Sequence, residues 1–406
     1  MSGREFFATR TVAEALAGFR PARRTAVERV PLAQALHRVP AAEVPAPAPL
    51  PGFARSTVDG FALRAADTYG ASEGLPSYLD LAGAVRMGRA PEVTVPPGGC
   101  VAIPTGAVLP EGSDAVVMVE YTAETMPGTI EVTRPVAPGA GIVRADEDVA
   151  AGAALVPGGR PLRAPDLGLL AAAGVTEVAV HARPRVVIVS TGDEVVPPGT
   201  VELGSGQVRD ATAPALAGLV TDAGGAPVLA GIVSDDPGAL AAVLREAVAG
   251  ADLLVVSAGS SVGTRDETAG AVAELGEIWC HGLALRPGKP TLLADLGGVP
   301  LIGLPGNPLS ALVVFRVVGV PLVWRLAGCP APPPEPSTRA RLSRDLASAA
   351  GRLDVVQVRV RDGVAEPVFG PSALLSVLTR ADGYVVVPEP ATGLDAGAEV
   401  DVTLYR

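Results

Sequence analysis

Cysteine is almost missing from this chain, whose 406 residues include three, Cys100, Cys280 and Cys329, odd in number and far apart. That pattern argues against a disulfide framework and makes a reducing cytoplasm the simplest setting. Histidine is as scarce: His37, His181 and His281 show no metal-ligand spacing and read as structural or surface residues. Positive charge is short too, 32 Lys+Arg against 43 Asp+Glu for a formal charge of -11. A broad basic face for nucleic acid or anionic lipid is thereby excluded, and an anionic ligand needs a local cationic pocket. The N-terminus lacks the basic-then-apolar pattern of a secretory signal. The longest apolar segment, 308–328, is interrupted by Arg316, Pro321 and Arg325 and reads as a buried or amphipathic helix, not a membrane span.

What is present suits a folded chain of about two to four domains, with 48% hydrophobic residues and turn-forming prolines and glycines spread between apolar segments. Residues 11–45 read as helical around TVAEALAGF and PLAQALHRV and run into the extended connector APAPLPGF. From 46 to 145 short apolar segments between glycine and proline turns predict a mostly β domain. A helix, APDLGLLAAAG, and a strand, VTEVAVH, follow within 146–181 and group with residues 1–45, so the β domain reads as an insertion. From 182 to 329 strands and helices alternate (VVIVS, APALAGLVTDAGG, VLAGIV, DPGALAAVLREAVAG, DLLVVSAG, TLLADL, VPLIGLPG), the pattern of a three-layer α/β domain with a parallel sheet. PAPPPEP is a linker. Residues 330–406 then carry LDVVQVRV, VAEPVF, GYVVVPE and EVDVTLYR, strands of a small β-barrel-like domain.

Chemistry concentrates where strands of the α/β domain end. VVIVS stops at Thr191, Gly192, Asp193 and Glu194, which places an acid pair at the carboxyl edge of a parallel sheet, where such folds bind ligands. SAGSSVGTRDET offers small residues, Ser260, Ser261 and Gly263, ahead of a helix whose positive end suits phosphate; a plain turn accounts for the same residues. Asp266 has two readings, hydrated-metal ligand or complement to the helix dipole. LRPGKP brings the cations Arg286 and Lys289 around Pro287 and Gly288, and LPGNP (Pro305, Gly306, Asn307, Pro308) again opens a helix. The three loops are expected to form one crevice, lined also by Asp193 and Glu194, with Mg²⁺ or ligand hydroxyls explaining carboxylates beside phosphate. In the β domain RSTVDGFALR and IPTGAVLPEGSDAVVMVE carry isolated polar groups, Ser56, Asp59, Thr105 and Glu120, that composition alone leaves in loops.

Taken together these segments resemble the molybdopterin molybdenumtransferase family, MoeA and the gephyrin E-domain. STVDGFA resembles its SAMDGYA, PTGAVLPEGSDAVVMVE its TGAPVPEGADAVV, and EDV at 147–149 its GED element. RPRVVIVSTGDEVV, SSVGTRD, LRPGKP and LPGNPLSA match in order and spacing. The resemblance spans nearly the whole chain. It implies an elongated four-part subunit, a homodimer with the active site in a cleft between subunits, and adenylylated molybdopterin as substrate, supplied by the adenylyltransferase partner. AMP is cleaved off and molybdate inserted, with Mg²⁺ required. Asp59, Thr105, Asp148, Glu194 and Asp266 match positions important for catalysis, and Asp59 and Asp266 are the implied metal ligands.

Four positions depart from the family pattern: Val143 and Gln357 replace arginines, Ala269 a lysine and Thr212 an asparagine. Each charged hydrogen bond so lost removes about 1.5–3 kcal/mol of grip on an anion. Two rival readings follow, a diverged paralogue that binds pterin or a protein without turnover, and a molybdopterin adenylyltransferase, which shares the α/β domain but not its flanks.

Overall fold

The structure is a computed structural model that describes residues 9–257 and 264–405; the side chains of 237 and 264–267 lie outside that description. The chain divides into two compact units, one of Glu43–Pro157 with Ala164–Val178, the other of Met1–Ala42, Gly158–Arg163 and Ala179–Arg406.

In the larger unit a six-stranded sheet runs in the order Ala226–Val233, Arg185–Thr191, Leu253–Ser257, Val299–Leu304, Leu292–Leu296, Glu277–His281. Its central strands are buried on both faces because β-branched and leucine residues follow one another without a polar gap. Val186 and Ile188 pack under the helices Thr212–Asp222 and Pro308–Val314. Val187 and Val189 face the other way, onto Leu240, Leu244 and Val272 of the helices Pro237–Val248 and Thr264–Ala273. This is the expected three-layer α/β domain, with one difference: Leu292–Leu296 runs antiparallel to both neighbours. The cause is local. Only Gly297 and Gly298 separate it from Val299–Leu304, both at positive φ (65° and 94°), and a two-residue glycine turn makes a hairpin where a parallel crossover needs a dozen residues.

The apolar segment after 308 is a largely buried helix of 19 residues, Pro308–Leu326, with a π-helical stretch at Phe315–Gly319. At its end Gly319 leaves room for the Phe315 ring, from which a Cβ there would stand 2.4 Å. Beyond it the strands Ser337–Leu342, Leu353–Arg361, Val364–Pro367, Gly383–Val387 and Glu399–Leu404 close into a ring around Val358, Ala365, Val385 and Val402. A two-residue strand from the α/β domain, Leu285–Arg286, joins this barrel by pairing with Leu353 and Asp354.

TVAEALAGF forms the helix Val12–Gly18, opened by a capping box in which Thr11 and Glu14 satisfy each other's backbone N–H groups. PLAQALHRV does not form a helix: the chain there is the strand Val27–Pro31 and one 3₁₀ turn, Leu32–Gln34. Its backbone donors and acceptors are taken by distant partners instead, His37 N–H by Leu162 O at 2.9 Å and Arg38 O by Leu162 N–H at 2.9 Å. Tertiary pairing overrides a helical period here.

The smaller unit holds a six-stranded sheet in the order Ala115–Met118, Gly60–Leu63, Gly99–Ile103, Ser77–Ala84, Thr129–Val132, Thr122–Met126, and the helix Ala164–Ala172. Alternate residues of Gly60–Leu63 serve its two cores, Ala62 with Val101 and Val116, Leu63 with Cys100 and Val117. Gly60 admits no side chain, because a Cβ would lie 1.8 Å from the Val117 carbonyl oxygen. Gly60→Ala is therefore expected to destabilise this unit by about 2 kcal/mol or more, read as a drop of several degrees in its thermal midpoint; an unchanged midpoint would contradict the packing described.

Candidate active site

The strand directions decide what meets at the sheet edge. Thr191, Ser257 and Leu304 end three adjacent parallel strands, and the reversed strand Leu292–Leu296 begins at the same edge, so residues 191–194, 282–291 and 305–307 share it. A cavity of about 630 Å³ opens there, lined by Arg286, Pro287, Gly288, Lys289, Pro305, Gly306 and Asn307 together with Ser310, Arg352 and Ser372.

The LRPGKP loop owes its shape to close packing. Gly288 has φ +134°, and a Cβ on it would come within 2.5 Å of Val314 in the helix behind. The Thr291 hydroxyl donates to Gly288 O at 2.6 Å, while Leu283 and Thr291 N–H both donate to Lys289 O at 2.9 Å. With its backbone so held, Lys289 presents an exposed ammonium at the cavity. It is the only lysine of the chain, every other cation among the 32 Lys+Arg being arginine. Arg286 is placed by the barrel pairing, opposite Asp354, with its Nη1 3.5 Å from Asp354 Oδ2. Arg352 grips the same carboxylate with two bonds, Nε to Oδ1 at 2.7 Å and Nη2 to Oδ2 at 3.1 Å. Asn307 stands at the N-cap of Pro308–Val314 without making a cap bond. Three cations thus line the cavity, two of them sharing the Asp354 carboxylate behind it, a net positive lining among the described residues of an acidic chain, with amide and hydroxyl groups for an oxyanion.

Thr191, Gly192, Asp193 and Glu194 do not line this cavity, contrary to the crevice expected from sequence. They close their own turn: Gly192 N–H donates to Val233 O at 3.1 Å, and Asp193 Oδ1 accepts from Asp235 N–H at 3.2 Å. Thr191 is buried, with its hydroxyl lacking a partner among the described residues. Behind it, Asp210 accepts from Ser190 Oγ at 2.6 Å and from the N–H groups of Thr212 and Ala213 at 3.1 and 3.0 Å, fixing the start of the next helix. Pro308 begins its helix beside the cavity. Ser260, Ser261 and Gly263 lie outside the described residues, as does the Asp266 side chain.

In the smaller unit two of the predicted residues meet. Asp59 Oδ1 accepts the Thr105 backbone N–H at 2.7 Å and the Thr105 hydroxyl at 2.9 Å, which leaves Oδ2 without a bond among the described residues. Those bonds, the backbone one foremost, hold the exposed Asp59 carboxyl below the ordinary aspartate range, so it stays ionised. Ser56 shapes the same turn. Its N–H and O bond Ala107 O and Gly106 N–H, and its hydroxyl bonds Val58, so its side chain is committed locally. Asp148 is exposed and follows Asp146, a residue at φ 61°; its side chain does not join the Asp59 pair.

Arg352 escaped the sequence reading. Its signal was GRLD at 351–354, three residues before Gln357, the position where the family pattern has an arginine. Of the four departures none lines the cavity. Val143 is half-buried in a two-residue pairing with Arg55, Thr212 is buried at a helix start, Ala269 lies in Thr264–Ala273, and Gln357 is buried with Oε1 accepting the Tyr405 hydroxyl.

Fold and site define a multidomain α/β plus β protein built around a three-layer domain of the molybdopterin-binding kind. Profiles for the MoeA N-terminal region (domain I and II), a probable molybdopterin binding domain and the MoeA C-terminal region (domain IV) match residues 10–174, 187–325 and 339–405. Among curated relatives, molybdopterin molybdenumtransferase 2 of Mycobacterium tuberculosis is 36% identical over 97% of both chains, and the molybdopterin molybdenumtransferase of Haemophilus influenzae 31% identical over 94% of this chain and 95% of that one. The crystal structure of the molybdopterin biosynthesis MoeA protein from Pyrococcus horikoshii OT3 superposes with a TM-score of 0.86 at 29% identity, covering 98% of this chain and all of that one. The chain belongs to the MoeA, or molybdopterin molybdenumtransferase, family.

The Asp59 pairing is directly testable. The Asp59 carboxyl is expected to titrate below the ordinary aspartate midpoint, and Thr105→Ala, which keeps the backbone donor but removes the hydroxyl, to move that midpoint partway up, as followed by NMR. Because the folded-state pKa is the lower one, any stability the bond supplies is present above the unfolded pKa and lost as pH falls through the folded one. An unshifted midpoint in Thr105→Ala would contradict the side-chain bond.

Proposed function

We propose that this protein inserts molybdate into adenylylated molybdopterin and releases AMP, the observation that carries the reading being the cavity where Arg286, Lys289 and Arg352 converge in an otherwise acidic chain. Molybdate is a tetrahedral dianion. The guanidinium N–H groups of Arg286 and Arg352 that Asp354 does not take supply directed donors to its oxygens, and the single ammonium of Lys289 adds a compact charge that can shift with it as it moves. The dense turn around Gly288 keeps these donors in place before the ligand arrives, so little reorganisation opposes binding.

Asp59 and Asp266 are the residues we assign to Mg²⁺. Magnesium keeps several waters and takes one or two carboxylates with substrate phosphates, and no group of three or more His, Cys, Asp or Glu that could hold a metal occurs among the described residues. The Asp59 donor set fits such an open site: an ionised, exposed carboxylate with Oδ2 free. When bound, Mg²⁺ supplies charge neutralisation at the phosphate that leaves with AMP. Asp148 and Glu194 we assign to positioning the attacking oxygen, and Ser260, Ser261 and Gly263 to the substrate phosphate. In this reading the enzyme is a cytoplasmic homodimer in which the two active regions come from different copies, and it receives its substrate from a molybdopterin adenylyltransferase.

The test mixes the purified protein with adenylylated molybdopterin and Mg²⁺ and follows AMP release with and without molybdate. Release that rises with molybdate and yields active cofactor is expected. Asp59→Asn should slow it at least about tenfold, and Lys289→Met should raise the molybdate KM about tenfold, the usual cost of one charge-assisted contact. Tight substrate binding without release would support the non-catalytic paralogue, and ATP consumption with free molybdopterin the adenylyltransferase.

A further inference from the structure

Both arginines of the cavity lean on one group that the cavity itself does not expose. Asp354 is 3% exposed, yet it is surrounded by the two guanidiniums, Arg352 bound through both carboxylate oxygens and Arg286 at 3.5 Å from the second. The three residues come from two places, Arg286 from the two-residue strand of the α/β domain and Arg352 and Asp354 from the start of the barrel strand Leu353–Arg361. They are joined by the two-residue parallel pairing that sets Arg286 opposite Asp354. Leu353 N–H donates to Ala284 O at 2.9 Å, so backbone bonds on the preceding residues fix the register.

This geometry has an electrostatic consequence. A carboxylate next to two arginines cancels one of their two charges, so the cavity keeps one guanidinium charge and the Lys289 ammonium, a match for a doubly charged anion. It also removes rotamers. Arginine side chains of 33% and 60% exposure would sample many positions if unanchored, whereas a bidentate carboxylate fork fixes the plane of Arg352, which lines the cavity. A group that never touches the ligand can then determine how well the ligand is held.

We propose that Asp354 is a positioning residue of the oxyanion site, acting through Arg352 and Arg286; the inference rests on the proposed function, in which that cavity takes molybdate. Changing the reach matters less than deleting the charge: Asp354→Asn leaves Arg352 without its anionic anchor, and Asp354→Glu keeps the charge on a side chain longer by one methylene.

The experiment measures molybdate binding to the full-length protein by calorimetry, independently of turnover. Asp354→Asn is expected to weaken binding about tenfold, Asp354→Glu to recover part of that, and Asp354→Asn combined with Arg352→Ala to lose clearly less than the product of the two single losses. Should Asp354→Asn fail to fold, Arg352→Lys carries the test: it keeps the charge, loses the fork, and is expected to bind about tenfold more weakly. Wild-type affinity in Asp354→Asn or in Arg352→Lys, or losses that multiply in the double variant, would overturn the assignment alone. A wild-type protein that binds no molybdate would overturn the functional reading and this inference with it.

Discussion

A glycine with no room beside it governs the cavity. Gly288 sits where a Cβ would come within 2.5 Å of Val314, so the LRPGKP loop can lie directly on the long buried helix. From that contact the rest follows: the loop's carbonyls are taken by Thr291 and Leu283, Lys289 is turned outward, and Arg286 is delivered into the barrel pairing. The helix that Gly288 touches is the same one whose N-cap Asn307 and first-turn Ser310 line the cavity. Packing density behind the site therefore becomes ligand geometry in front of it.

Charge economy makes the same site selective. A chain at -11 repels anions at long range, which leaves a short-range cluster of three cations as the attractive feature of this cavity. The barrel's part in this is indirect but necessary, because it brings residue 352 to residue 286. Its attachment is reinforced by a polar chain from the long helix. Arg316 bonds Glu335 at 2.6 Å, Glu335 accepts the Tyr384 hydroxyl at 3.0 Å, and Arg316 stacks 4.8 Å over Tyr405, whose hydroxyl reaches Gln357. The residue that departs from the family pattern at 357 thus has a place in the network joining linker, helix and barrel.

Local sequence decides structure where the backbone answers to its own neighbours. VVIVS, DLLVVS and VPLIGL are strands because uninterrupted β-branched and leucine runs need burial on both faces, and Pro308 opens a helix because its fixed φ suits the first turn. The LRPGKP and LPGNP turns were legible for the same reason. What escaped depends on distance along the chain. Arg352 reaches the cavity because its neighbour Asp354 pairs with Arg286, 68 residues away in the sequence. Asp59 and Thr105, 46 residues apart, were linked by family resemblance and not by composition. PLAQALHRV has a helical period that distant backbone partners override, and the reversal of Leu292–Leu296 hides in two glycines that could as well have been a loop.

The central claim, that the Arg286–Lys289–Arg352 cavity is where molybdate is held, is tested most directly by X-ray diffraction from crystals soaked in molybdate, with data on both sides of the molybdenum absorption edge. The account predicts an anomalous peak inside that cavity, within contact distance of Lys289 and Arg352, and its disappearance in Lys289→Met crystals. A peak confined to another part of the molecule, with the cavity filled by water, would contradict it.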